Sequence, residues 1–205
     1  LIRTIAGFQK PKNGKILLDG KQVRDPGPDR IMVFQEFDQL FPWRTVQGNV
    51  EYALKVKGVH KEKRRTDTRK FLEMVNLQDF AKAFPHQLSG GMKQRAAIAR
   101  SLAINPGILL MDEPFGSLDA QTRAVLQAEL VRIWQKVGST IIFITHNIQE
   151  AILLGDRVMV MAGDPGRALL FLGAFGFQKG CRRRIADTVS QGFPALDLDT
   201  LAVGR

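Results

Sequence analysis

Three apolar runs in this chain each end in a polar side chain with chemical potential. "IMVF" ends at Gln35, "ILLM" at Asp112-Glu113, and "IIFIT" at His146. If the runs are neighbouring parallel strands, ligands bind beyond their carboxyl ends, and these four residues converge on one crevice. A carboxylate there can hold Mg²⁺ directly or through water. A second carboxylate can orient or deprotonate an attacking water. A glutamine and a histidine can hydrogen-bond a phosphate and a nucleophilic water. Together these are the parts of a phosphoryl-transfer site. Any one of them alone reads more simply as a strand cap or a turn residue. A second element is "LSGGMKQR", where Ser89, Gly90 and Gly91 precede a helical pattern. The start of a helix beside a serine hydroxyl suits an anion, and Lys93 and Arg95 add positive charge. Ser-Gly-Gly by itself is usually a turn and a cap.

The elements that must position these residues follow from the periodicity. "LIRTIAGF" reads as a helix ending near Gly7, and "KILLDGKQV" as two short strands about the Asp19-Gly20 turn. "DPGPDR" is a connector. Residues from about Val46 to Asn105 read as helical, with Val46, Val50, Ala53, Leu54 and Lys57 on one face of the first helix, and with a stop at Asn105-Pro106. Strand, long amphipathic helix, strand, short helix and strand then follow through "GILLMDEP", "DAQTRAVLQAELVRIWQKVG", "STIIFITH", "NIQEAILLG" and "DRVMVMA". The long helix is expected to turn Ala124, Leu126, Leu130, Ile133, Trp134 and Val137 inward. Fully apolar strands alternating with helices imply an α/β fold with a parallel sheet covered on both faces.

Composition narrows the class. The 205 residues are 44% hydrophobic and 24% charged, as in a globular protein with a sizeable core. The longest apolar run, Ala168 to Phe177, is too short to span a bilayer and holds two glycines. One cysteine, Cys181, excludes an internal disulfide framework. The net charge of +10 fits nucleic acid, an anionic membrane surface, phosphate ligands or simply a solvated basic surface. Part of it lies in "HKEKRRTDTRK", which reads as an exposed helix face, and part in "KGCRRR".

Taken together, the motifs over residues 1 to about 166 resemble the ATP-binding subunit of ABC transporters, and within that family the ATPases of nitrate, sulfonate and taurine importers. "VFQE" looks like the Q-loop, "LSGGMKQR" like the signature motif with Met92 where many members carry Gln, and "ILLMDEP" like Walker B. "SLDA" looks like the D-loop and "FITH" like the switch-histidine motif. The resemblance implies a P-loop NTPase (RecA-like) core over 1–36 and 105–163, an inserted helical subdomain over 37–104, and an atypical tail over 164–205. It implies Asp112 and Gln35 as the Mg²⁺ residues, with Glu113 as catalytic base and His146 and Gln35 as its companions. Ser89, Gly90 and Gly91 would contact ATP held by a second, head-to-tail ATPase subunit, with Asp119 facing that partner. It further implies transmembrane permease subunits that dock near "LFPW", an indirect solute-binding protein outside the membrane, no nucleic-acid partner, and a place on the cytoplasmic face of the plasma (inner) membrane. For "LFPW" itself, core packing of Phe41 and Trp43 is an equally open reading.

One motif of the family has no counterpart in the 205 residues. G-x-x-x-x-G-K-[ST], the Walker A phosphate loop, does not occur, and Gly14-Lys15 and Gly20-Lys21 lack its other positions. The family's adenine-stacking aromatic lies further upstream still. The expectation is a truncated chain that begins just after its loop, lacks the first strands, folds poorly alone, and has doubtful activity by itself. Its tail would reflect a shifted frame or a divergent extension. Two other readings stay open. A non-hydrolytic partner subunit would lend only its signature motif. A DNA-repair or chromosome-organising ATPase would explain the charge, but those insert a long coiled coil, and only about fifty residues separate Gln35 from Leu88.

Overall fold

The computed structural model describes residues 1–35 and 39–158, and the strand segments 160–161, 168–169 and 201–203. A short helix α1 (Ile2–Ile5) precedes the strands β1 (Ile16–Leu18), β2 (Lys21–Gln22) and β3 (Arg30–Val33). Helices α2 (Val46–Val56), α3 (Lys61–Met74) and α4 (Gly90–Ala103) follow as one block. Then come β4 (Ile108–Asp112), α5 (Ala120–Val137), β5 (Thr140–Ile144) and α6 (Ile148–Leu154). The pairs β6 (Val160–Met161) with β7 (Ala168–Leu169), antiparallel, and β1 with β8 (Leu201–Val203), parallel, complete the strands. The expected tail features, including "KGCRRR" and Cys181, lie outside the described residues.

The central sheet runs β3-β4-β5, all parallel, as the apolar runs predict. Alternation along its strands separates two cores. Val33, Leu109, Met111 and Ile141 face the large core with α2, α4 and α5, whereas Ile108, Leu110 and Ile142 face Ile2, Ile5, Ala6 and Ile16. Both faces are therefore covered, which is why these strands read as unbroken apolar runs. The register sets Val33 beside Met111, Met111 beside Phe143, and Asp112 beside Ile144, so the three strands end level.

In α2, Val46, Val50, Ala53 and Leu54 are buried as their spacing requires, but Lys57, at the end of the stripe, is the C-cap and is exposed. The remaining inward position belongs to Asn49, which is fully buried. Its side chain accepts from the Phe41 amide at 2.8 Å and donates to the carbonyls of Phe41, Arg44 and Thr45 at 3.1–3.2 Å. A buried amide must find such partners, and here they fix the 41–45 turn. That turn exposes Trp43 (69%) and only partly buries Phe41, so Trp43 is not core. In α5, Leu126, Leu130 and Ile133 are buried with Gln127, and the helix stops at Gly138, whose left-handed φ of 69° a side chain rarely adopts. Helix α3 is mostly exposed, as its charges suggest.

Candidate functional site

At the level ends of the strands the chain brings three of the four expected residues together. Glu113 leaves β4 with φ 45°, a left-handed backbone that costs an ordinary residue roughly 1–2 kcal/mol. Its amide donates to the Ile144 carbonyl at 2.9 Å, and its carbonyl accepts from Gly116 at 3.0 Å. These bonds hold the turn in that conformation. The side chain is 30% exposed, and its Oε2 lies 3.0 Å from His146 Nδ1. Gly116 closes the group. A Cβ there would stand 3.3 Å from Gln35 Nε2 and 3.5 Å from Glu113 Oε2, so the glycine leaves room for both side chains. Asp112, half-buried, is the last residue of β4.

No group of three or more His, Cys, Asp or Glu side chains that could hold a metal occurs among the described residues. Asp112 and Gln35 carry oxygen donors of the kind Mg²⁺ takes, one or two carboxylates with the rest of the shell from water and substrate phosphate, but the Asp112 side chain is not among the groups that meet at Gly116.

A second cluster forms where α4 and α5 begin. Ser89 caps α4, its Oγ accepting from the Met92 amide at 3.3 Å. Asp119 caps α5, accepting from the Thr122 amide at 2.9 Å. Hydrogen bonds from the Thr122 side chain and then its amide hold the Asp119 carboxyl below its ordinary range. The two helix starts touch: a Cβ on Gly91 would meet Thr122 Cγ2 at 2.8 Å. Ser89 and Asp119 are exposed beside each other's helix, Gly90 is half-buried, and Gly91 is buried beneath them against α5. Arg95, on the second turn of α4, already has an anionic partner. Its guanidinium lies against Glu129 on α5, with Nε 3.1 Å from the carboxylate, so that neither half-buried charge is left uncompensated.

Sequence reasoning missed the residues that support His146. Glu150 is 4% exposed. It accepts from Gln127 Nε2 at 2.8 Å and from the Thr145 hydroxyl at 2.5 Å, while that hydroxyl accepts from the Asn147 amide at 3.0 Å. The one visible signal was Asn147 followed three residues later by Glu150, the spacing of a helix-start capping pair. Gly116 was missed too, since one glycine after "DEP" reads as a turn.

Comparison with known proteins places this arrangement. The chain is 51% identical over 169 residues to the taurine import ATP-binding protein TauB of Rhizobium johnstonii, covering 82% of this chain and 64% of that protein. It is 49% identical over 166 residues to the nitrate import ATP-binding protein NrtD of a Synechocystis strain, covering 81% of this chain and 62% of that one. The chain thus spans less than two thirds of the length of these relatives. Among solved structures it resembles a dimeric ATP-binding cassette in a post-hydrolysis state bound to ADP and phosphate. The TM-score is 0.65 at 34% identity, over 77% of this chain and 73% of that one. The strand-end crevice and paired helix starts therefore sit on a P-loop NTPase fold, and with the ABC transporter family matching residues 1–116, more than half its length, the chain belongs to that family.

Proposed function

We propose that the chain is the ATP-hydrolysing subunit of an importer for taurine-, sulfonate- or nitrate-type anions, and that its two clusters serve two different nucleotides. The observation that carries this reading is the strained, half-exposed Glu113 held beside His146 and Gln35 where three parallel strands end. Strain and exposure of this kind persist where the surrounding structure enforces them, and they cluster at functional sites.

The roles follow from the chemistry of each group. Glu113 accepts the proton of the attacking water as general base. His146 approaches Glu113 through Nδ1, which leaves Nε2 for the terminal phosphate. Gln35 orients the water with its amide. Asp112 and the Gln35 oxygen would hold Mg²⁺, which supplies neutralisation of the charge on the β- and γ-phosphates. Ser89, Gly90 and Gly91, at the start of α4, would contact the γ-phosphate of ATP held by a second, head-to-tail subunit. Asp119 stands on that same surface.

Permease subunits are the proposed membrane partners, at the cytoplasmic face, with a solute-binding protein engaged only through them. Trp43, Tyr52 and Val56 are exposed there, and Phe41 packs 5.5 Å from Trp43 and 5.1 Å from Tyr52. Among the described residues no helix is long and apolar enough to cross a membrane.

The test is ATP hydrolysis by this chain preceded by a segment that carries the G-x-x-x-x-G-K-[ST] phosphate loop. Mg²⁺-dependent turnover is the expected result, and none in a folded dimer would contradict the reading. Turnover only when the 205-residue chain is mixed with a complete relative would instead favour a partner subunit lending its signature motif alone.

A further inference from the structure

We propose that Glu150 is a positioning residue, whose buried carboxylate ties Gln127 on α5 to Thr145 at the end of β5 and thereby sets His146 against Glu113. The inference rests on the hydrolytic role proposed above for that pair.

An acid at the third position of a helix ordinarily reaches back to the cap amide in partial contact with water. Glu150 does not. The cap duty is met by Asn147, whose Oδ1 accepts from the Glu150 amide at 3.2 Å. The Asn147 amide goes to the Thr145 hydroxyl instead. The Glu150 carboxylate is left to accept one bond per oxygen, from Gln127 and from Thr145. Burying a carboxylate is costly unless such donors meet it. An aliphatic residue would fill this place without that cost, so the geometry of the bonds is what the acid supplies.

That geometry brackets the histidine. Thr145 has one hydroxyl proton, which goes to Glu150, and its oxygen takes the Asn147 amide. The residues before and after His146 are thus joined through one oxygen to one buried carboxylate. The His146 side chain is 73% exposed and meets Glu113 at 3.0 Å. An exposed pair of this kind has little energy with which to hold itself. Its alignment must come from the backbone, and the backbone here is fixed by Glu150. Through Gln127 the same carboxylate also joins α5, the helix that Asp119 caps. The position of His146 is therefore set relative to both clusters.

The test reads His146 directly. In the 205-residue chain with isotope-labelled histidine, three ring signals arise from His60, His86 and His146, and His146→Asn identifies the third. The readout is the displacement of that signal on Glu113→Gln. We expect the displacement in the wild-type background, its loss in Glu150→Gln and Thr145→Val, and its return in Thr145→Ser, which keeps the hydroxyl. An undiminished displacement in Glu150→Gln and Thr145→Val would overturn the proposal. So would its loss in Thr145→Ser, or its absence from the wild type. If Glu150→Gln does not fold, the two Thr145 variants decide. Because the readout needs no nucleotide, failure of the hydrolysis assay with coupling intact would sink the hydrolytic reading and leave the positioning geometry standing.

Discussion

The crevice at the strand ends and the surface where α4 and α5 begin carry equally suggestive residues, but they are held in different ways. On the helix-start surface each residue has an ordinary structural reason to be there. Ser89 and Asp119 are helix caps, and Gly91 is small because Thr122 lies against it. At Glu113 in the crevice no such reason applies. Glu113 stands in a conformation that glycine would fill at less cost, and its side chain reaches an exposed histidine. Residues that fold the chain and residues that work against folding thus lie on one molecule, and substitution should separate them.

The largest expected effect is on chemistry. In the phosphate-loop-bearing chain, Glu113→Gln should lower the hydrolysis rate by about 10²–10⁴-fold, the usual contribution of a positioned general base. Steady-state phosphate release measures it, and a rate within a few-fold of wild type would remove Glu113 from that role. The next effect is on stability. Gly91→Ala drives a methyl into Thr122 and should cost about 1–3 kcal/mol, as overpacking commonly does. Adding Thr122→Ser, which deletes the opposing Cγ2, should recover most of the loss in a urea melt. Non-recovery would mean that Gly91 is not a packing residue.

The comparison sharpens with the opposite sign in the crevice. Glu113→Gly relieves the left-handed strain and should raise stability by about 1 kcal/mol while abolishing hydrolysis. A drop in stability would mean that the turn is not strained. The smallest effect concerns Asp119. Its carboxyl is held below the ordinary range in the folded chain by hydrogen bonds from Thr122. A depressed folded value adds stability that is complete above the unfolded value of about 3.9 and is lost as pH falls through the folded value. Asp119→Asn keeps a capping side chain and should flatten the melting temperature against pH in that acid range alone.

What the sequence made legible follows the same division. Unbroken apolar runs reported a sheet covered on both faces, and Leu109 and Leu110 do face different cores. Gln35, Glu113 and His146 could be expected together because each ends a strand, and level strand ends are a matter of register. Lys57 continues the apolar spacing of α2 yet is exposed, because the helix ends there and a long cationic side chain stays in water. Glu150 was invisible for a different reason. Its partner Gln127 lies 23 residues away, a polar side chain buried beside Leu126 that the apolar spacing of α5 does not announce.

The central claim is that crevice and helix-start surface act on different nucleotides in one dimer, and mixing two inactive variants tests it most directly. Glu113→Gln disables the crevice. Gly90→Glu places an acid in the first turn of α4, where the helix favours it and a phosphate does not. Both substitutions are made in the phosphate-loop-bearing chain, and each variant alone should be inactive. Mixed, they form dimers in which one site has an intact crevice from one chain and an intact helix start from the other. The account predicts that hydrolysis returns on mixing. If mixed dimers form and stay inactive, the two surfaces serve the same nucleotide from one chain, and the account is wrong.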